Sequence, residues 1–174
     1  MMESLKKGDK IAIISPSASV LDTPDSKELL AHGEEILTDL GLKVVYGSNA
    51  KEKYFYKAGR PEDRLADLEE AFTDPEIKAV LCTQGGENSN ELLSHIDWDK
   101  IKNNPKYFFG SSDITVLLNS IYAKTGMTSF HGLDLIWGLG KNATSYTINQ
   151  LRDLLFTDKL TYYPCPGYPI WRTI

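Results

Sequence analysis

Two rhythms of apolar residues alternate along this chain. Short, nearly continuous apolar runs occur at Lys10 to Ser15, Leu42 to Tyr46, Ile77 to Thr83 and, after Pro105, Tyr107 to Phe109. Runs of this length predict strands buried on both faces, as in a parallel sheet. Between them, apolar residues recur every three or four positions. Leu29, Leu30, Ile36, Leu37 and Leu40 predict a helix that opens at Thr23-Pro24, with proline at its favoured first position, and stops at Gly41. Leu65, Leu68, Ala71 and Phe72 give Pro61 to Phe72 one apolar face, and Ile114, Val116, Leu117, Leu118 and Ile121 do the same for a helix from Asp113 to Lys124 that ends at Gly126. Met127 to Phe130 follows as a strand, and Thr144-Ser145 caps a last helix running through Phe156, with Ile148, Leu151, Leu154 and Leu155 facing inward. Strand and helix in alternation predict an α/β fold: a doubly wound, mostly parallel sheet of about five or six strands in a flavodoxin-like layer sandwich.

The connections carry their own signals. Ser15-Pro16-Ser17 is a turn after the first strand. Ser48 to Arg60 is a polar and aromatic loop, and Tyr54, Phe55 and Tyr56 within it either cover a pocket or pack down on the sheet, the plainer expectation. Asn88 to Ser94 and Trp98 to Asn103 are short helical pieces, and Leu133 to Asn142 reads as a glycine-rich apolar connection containing Trp137. Pro164, Pro166 and Pro169 exclude a helix near the end, so the chain divides into an α/β domain over 1–160 and an extended linker over 161–174. No internal repeat or low-complexity segment interrupts this order.

Composition narrows the function. A chain of 174 residues with 41% apolar and 25% charged residues fits one soluble globular domain with its own core. Its net charge of -5 argues against nucleic acid or an anionic membrane as partner, since phosphate binding needs a concentrated basic surface. No apolar run approaches the ~18 residues of a membrane span. The polar start from Met1 to Lys10 is no secretory signal, and Cys82 and Cys165 have neither metal-ligand spacing nor a disulfide framework, which points to a reducing cytoplasm.

Candidate chemistry gathers at Gly110-Ser111-Ser112-Asp113-Ile114-Thr115, where a strand turns sharply into a helix. Such a turn lifts one side chain clear of the sheet edge, while the first free N–H groups and the partial positive charge of the helix face the bond that side chain would attack. Ser112 is therefore either a nucleophile or part of an ordinary N-cap shared with Ser111 and Asp113. Gln84-Gly85-Gly86-Glu87-Asn88-Ser89-Asn90 follows the third strand; its glycines let backbone approach a ligand, although they are also common in plain turns. Without a Gly-Lys-Ser/Thr ending the loop is not a nucleoside-triphosphate site. His131 follows the fifth strand and shares the ligand-binding edge with Ser112, as a base for it or as a loop histidine. His32 and His95 have weaker claims.

Both segments resemble one family. Gly110 to Thr115 is similar to the Gly-x-Ser-Asp-Ile-Thr nucleophile turn of the LD-carboxypeptidases, serine peptidases that include the microcin C immunity proteins. Gln84 to Leu93 followed by Ile96-Asp97 resembles that family's glycine-pair loop, with Asn88-Ser89-Asn90 nearest the microcin-immunity branch. The likeness runs from about Lys10 to Phe156 and is strongest over Gly59 to Leu93 and Pro105 to Gly132. It implies Ser112 as nucleophile, the N–H groups of Gly86 and Asp113 as oxyanion hole, and Gly85, Asn88 and His131 near substrate. His131 is then not the base, because the family's catalytic histidine lies much further along.

The resemblance also implies a second domain bearing the glutamate and histidine of a Ser-Glu-His triad, and no residue here matches those positions. The expectation is the N-terminal half of a cytoplasmic serine carboxypeptidase-type hydrolase, inactive alone. Complete, it would form a homodimer without metal or organic cofactor and cut murein tetrapeptides or peptidyl or aminoacyl nucleotides. The isolated piece is expected to self-associate through surface around Trp137, Tyr168 and Trp171. The alternative is a non-catalytic module that holds a carboxylate or phosphate at Gly85-Gly86 and the helix at Asp113.

Overall fold

The computed structural model describes residues 2–157, so the proposed linker, Cys165, Tyr168 and Trp171 lie outside the described residues. Five parallel strands, β1 (Lys10–Ile14), β2 (Lys43–Tyr46), β3 (Ile77–Cys82), β4 (Tyr107–Gly110) and β5 (Phe130–His131), form one sheet in the order β2-β1-β3-β4-β5. The doubly wound α/β class is as expected, with every pairing parallel.

Alternation along the strands divides the core into two layers. Ile11, Ile13, Ala79, Leu81, Tyr107 and Phe109 point to one face, where α1 (Ser26–Asp39), a π-helix over Leu135–Lys141 and α5 (Ser145–Phe156) cover them. Ala12, Ile14, Val80, Cys82 and Phe108 point to the other, under α2 (Pro61–Thr73), α3 (Trp98–Asn103) and α4 (Thr115–Thr125). Runs that are apolar at every position are what a sheet covered on both sides requires.

β1 lies between β2 and β3, so successive crossovers leave it in opposite directions and the loops beyond the carboxyl ends of β1 and β3 diverge. That switch point brings residues 15–19, 83–88 and 111–113 to one edge.

Three local expectations are corrected. The first long helix starts at Ser26, not at Pro24: Val20–Asp22 forms a 3-10 turn capped by the Ser19 hydroxyl, and Asp25 then takes a left-handed φ of 57°. The fifth strand is Phe130–His131, not Met127 to Phe130, because the Thr125 hydroxyl accepts the Met127 N–H and keeps that residue in the turn after α4. The connection around Trp137 is the π-helix. It packs against α1 at van der Waals limits: a Cβ on Gly33 would stand 2.7 Å from the Leu135 carbonyl oxygen, and one on Gly140 2.3 Å from that of Leu29.

Candidate active site

Ser112 sits where β4 gives way to a 3-10 turn (Ser112–Ile114) that runs on into α4. Its φ is 54°, in the left-handed region that a residue with a Cβ avoids. Three features flank this conformation. A Cβ on Gly110 would meet the Ile114 side chain at 2.4 Å, so only glycine lets β4 turn back on itself this tightly. The Ser111 hydroxyl donates to Asp134 Oδ2 at 2.5 Å. On the far side, the Asp113 carboxylate accepts the Ser17 hydroxyl at 2.6 Å and the N–H groups of Asn88 and Ser89 at 3.0 and 2.8 Å, while the Ser89 hydroxyl donates to the Asp113 carbonyl at 2.8 Å. With its neighbours bonded away on both sides, Ser112 is left exposed while Ser111 is half-buried. Neither hydroxyl caps the helix. The N-cap explanation is thus set aside: the Ser111 hydroxyl is bonded to Asp134, and neither serine makes a side-chain cap bond.

Burial pushes the Asp113 carboxyl up, but the Ser17 hydroxyl and the Ser89 and Asn88 groups outweigh it, and the net effect holds Asp113 below the usual carboxylate range.

The glycine pair lies against this turn. A Cβ on Gly85 would stand 2.7 Å from Ser112 Cβ and 3.2 Å from the Asp113 nitrogen, and one on Gly86, at φ 155°, 2.3 Å from the Ser17 hydroxyl. Glycine is required at both positions by close approach. Beneath the pair, buried Gln84 accepts from the Thr23 hydroxyl at 2.9 Å and from Trp137 Nε1 at 3.2 Å, and donates to the Ser19 carbonyl at 3.0 Å.

A cavity of about 660 Å³ opens over Ser112, walled by Ser19, Thr23, Tyr56, Gly86, Glu87 and Trp137 among others. Its ionisable neighbours are acidic: Asp22, Glu87 and Asp134. Tyr54, Phe55 and Tyr56 therefore do not pack on the sheet as the plainer expectation had it. They form a tight turn in which Phe55 has a φ of 57° and is 74% exposed, and Tyr56 borders the cavity. The pocket alternative was not the one preferred because an aromatic run does not reveal that Lys57 bridges Ala18 and that the Ser19 N–H bonds the Tyr56 carbonyl, which pins the turn at the cavity rim.

Of the residues expected near substrate, Gly85, Gly86, Ser112 and Asp113 are brought together. Asn88 is not at the cavity: it is buried, with its Oδ1 accepting Arg64 Nη1 at 2.6 Å. Arg64, 1% exposed on α2, also holds the Pro16 carbonyl at 2.8 Å and Glu91 at 2.6 Å, and Glu91 pairs with Lys57. Asn88 is thereby a strut of the glycine loop. His131 lines a separate cavity of about 560 Å³ beside β5, with Phe109, Phe130 and Tyr146, and no hydrogen bond joins it to Ser112. His32 bonds the Gly140 carbonyl at 2.8 Å and His95 is exposed elsewhere, so none of the three histidines serves Ser112. Among the described residues no cluster of His, Cys, Asp and Glu is arranged to hold a metal, and no helix is long and apolar enough to cross a membrane.

Comparisons with known proteins identify the family. Residues 11–132 match the family model described as LD-carboxypeptidase N-terminal domain. The chain is 41% identical over 138 residues to the Bacillus subtilis protein named probable murein peptide carboxypeptidase, covering 79% of this chain and 42% of that one. It is 39% identical over 138 residues to the microcin C7 self-immunity protein MccF of Escherichia coli, covering 79% and 40%. A solved structure of MccF in complex with glutamyl sulfamoyl guanosine superposes with a TM-score of 0.86 at 34% identity, over 95% of this chain and 50% of that chain. The chain spans half or less of the length of these relatives. On this match, and on the turn and glycine loop that lie within it, the chain belongs to the LD-carboxypeptidase family through its N-terminal domain.

Proposed function

We propose that this chain carries the nucleophile of a serine hydrolase that cleaves an amide bond near a substrate's carboxyl end. The observation that carries the reading is the backbone of Ser112, a strained and exposed serine whose neighbours on both sides are bonded away from it. Strain of this kind costs about 1–3 kcal/mol and persists where the surroundings over-determine it, as at a nucleophile turn.

In this reading Ser112 Oγ attacks the carbonyl carbon, and the N–H groups of Gly86 and Asp113, which find no acceptor elsewhere among the described residues, receive the oxyanion. The helix N-terminus adds favourable charge there. Gly85 lets the loop approach, Asn88 holds it in place, and His131 borders a neighbouring subsite. The base and its orienting group come from outside the described residues, from the second half that the relatives possess.

Two substrate classes fit: a murein tetrapeptide, after the printed name of the B. subtilis relative, and an aminoacyl or peptidyl nucleotide, after the ligand in the MccF structure. Asn88-Ser89-Asn90 favours the second. The test uses this chain mixed with the second half of a relative, assayed on an L,D-tetrapeptide and on an aminoacyl-sulfamoyl nucleotide. Ser112→Ala is expected to abolish turnover of one of them by at least ~10³-fold; unchanged turnover of both in the variant overturns the assignment.

A further inference from the structure

We infer that Asp134 is a positioning residue that, through the Ser111 hydroxyl, holds Ser112 in its strained conformation and fixes its distance from the glycine loop. Asp134 is 4% exposed, and its two oxygens do different work. Oδ1 accepts the N–H groups of Trp137 and Gly138 at 2.7 and 3.0 Å, which caps the π-helix. Oδ2 accepts the Ser111 hydroxyl at 2.5 Å. A helix cap needs only the first of these, so the second is an additional tie between the π-helix and the nucleophile turn.

The same π-helix is bonded to the β3 loop. The Ile136 N–H donates to the Thr83 carbonyl at 3.0 Å, and Trp137 Nε1 to Gln84 at 3.2 Å. One short segment therefore touches both halves of the site: Ser111 on one side, and on the other the residues immediately before Gly85-Gly86. π-Helical turns are rare and concentrate at functional sites, where the wider turn re-aims particular groups. Here the turn places the Asp134 carboxylate under Ser111 and the Trp137 ring at the cavity wall.

Ser111 supplies the leverage. Its backbone is extended, with φ -143° and ψ 172°, and the next residue must reverse into the left-handed region. A charge-assisted hydroxyl to carboxylate bond is among the stronger hydrogen bonds a neutral side chain can make, and when it pins Ser111 it leaves Ser112 no room to relax toward negative φ. On the other flank Asp113 is fixed by Ser17, Asn88 and Ser89. The turn is held at both ends, and Asp134 supplies the end nearer β4.

The consequence for chemistry rests on the peptidase reading, but the structural claim does not, and the experiment separates them. Ser111→Ala removes the tie and leaves the π-helix cap intact, so it tests the tie without unfolding the segment. Backbone couplings and a crystal structure of the Ser111→Ala chain are expected to show Ser112 leaving positive φ, with faster amide exchange at Ser112 and Asp113. Ser111→Thr, which keeps the hydroxyl, is expected to retain it, and Asp134→Asn, which keeps an oxygen for the cap but loses the charge facing Ser111, is expected to fall between wild type and Ser111→Ala. In the two-part enzyme, Ser111→Ala should lower kcat by about 10- to 100-fold, the scale of a misplaced nucleophile, with KM within about twofold. Ser112 unchanged in the folded Ser111→Ala chain overturns the inference whatever the kinetics show. If turnover instead survives Ser112→Ala, the peptidase reading falls while the structural result still decides the role of Asp134.

Discussion

The Asp113 carboxylate shows how one residue beside Ser112 can matter through its side chain's partners. Its three donors come from the β1 loop and from the segment after the glycine pair, so it ties all three loops of the edge together. Asp113→Asn replaces an acceptor with an amide whose N–H groups meet other donors, and the expected loss is about 1–3 kcal/mol of stability at neutral pH. Because its folded pKa is lowered, the stability Asp113 contributes is complete above the ordinary carboxylate range and is lost as pH falls through the lowered value. Urea unfolding of wild type and variant at pH 7 and about pH 2.5 checks both points: the gap between them should be full at neutral pH and small in acid. An equal gap at both would remove the charge from the account. The Ser112 turn and the glycine pair were legible through their resemblance to one family's pattern, since local chemistry alone left an N-cap and a plain turn open. Asp134 and Arg64 were not legible, since a lone carboxylate in an apolar connection and an arginine on an amphipathic helix look like ordinary solvated charges until the fold buries them.

Among the elements, the strands and main helices were readable because burial on both faces leaves a nearly unbroken apolar run, and packing on one face leaves a 3.6-residue rhythm. The π-helix was not, since its order comes from the Asp134 cap and from contact with α1 at Gly33 and Gly140, which are tertiary facts. β4 offers a second case. Lys106, just ahead of it, is 6% exposed and donates to the carbonyls of Ala71 at 2.9 Å and of Asp74, closing the carboxyl end of α2. Burial pulls its pKa down to about 8 from the ordinary 10.5. Between those values the unfolded chain holds a proton that the folded chain has released, so this group makes stability rise as pH increases from about 8 to 10.5. Lys106→Met should remove that rise; near pH 7 the relief from desolvating a charge is set against the loss of the two bonds to the α2 carbonyls, so the pH dependence and not the value at pH 7 is the diagnostic. Denaturant midpoints across pH 7 to 10.5 decide it: a rise that persists in the variant assigns the effect to other groups.

At the scale of the whole molecule, the proposed function needs a base for Ser112, and none is within reach among the described residues. A serine hydroxyl is a weak nucleophile until a neighbouring base takes its proton, yet no side chain among the described residues hydrogen-bonds Ser112, and the three histidines are elsewhere. The relatives are at least twice as long as the stretch they share with this chain, which leaves room in them for the missing groups. The walls that this chain contributes also leave aromatic surface open: Trp137 is 39% exposed and Phe55 and Tyr56 stand further out. Surface of this kind beside a cavity suits a covering domain, and when uncovered it favours self-association of the chain. Both consequences are measurable in one preparation. Sedimentation velocity of the chain is expected to show concentration-dependent association that recedes when the second half of a relative is added. Turnover should appear only in the mixture, at least about 10³-fold above the chain alone, since loss of a triad base costs that much or more. Turnover by the chain alone that disappears in Ser112→Ala would place the base within these residues and end the two-part account of the site.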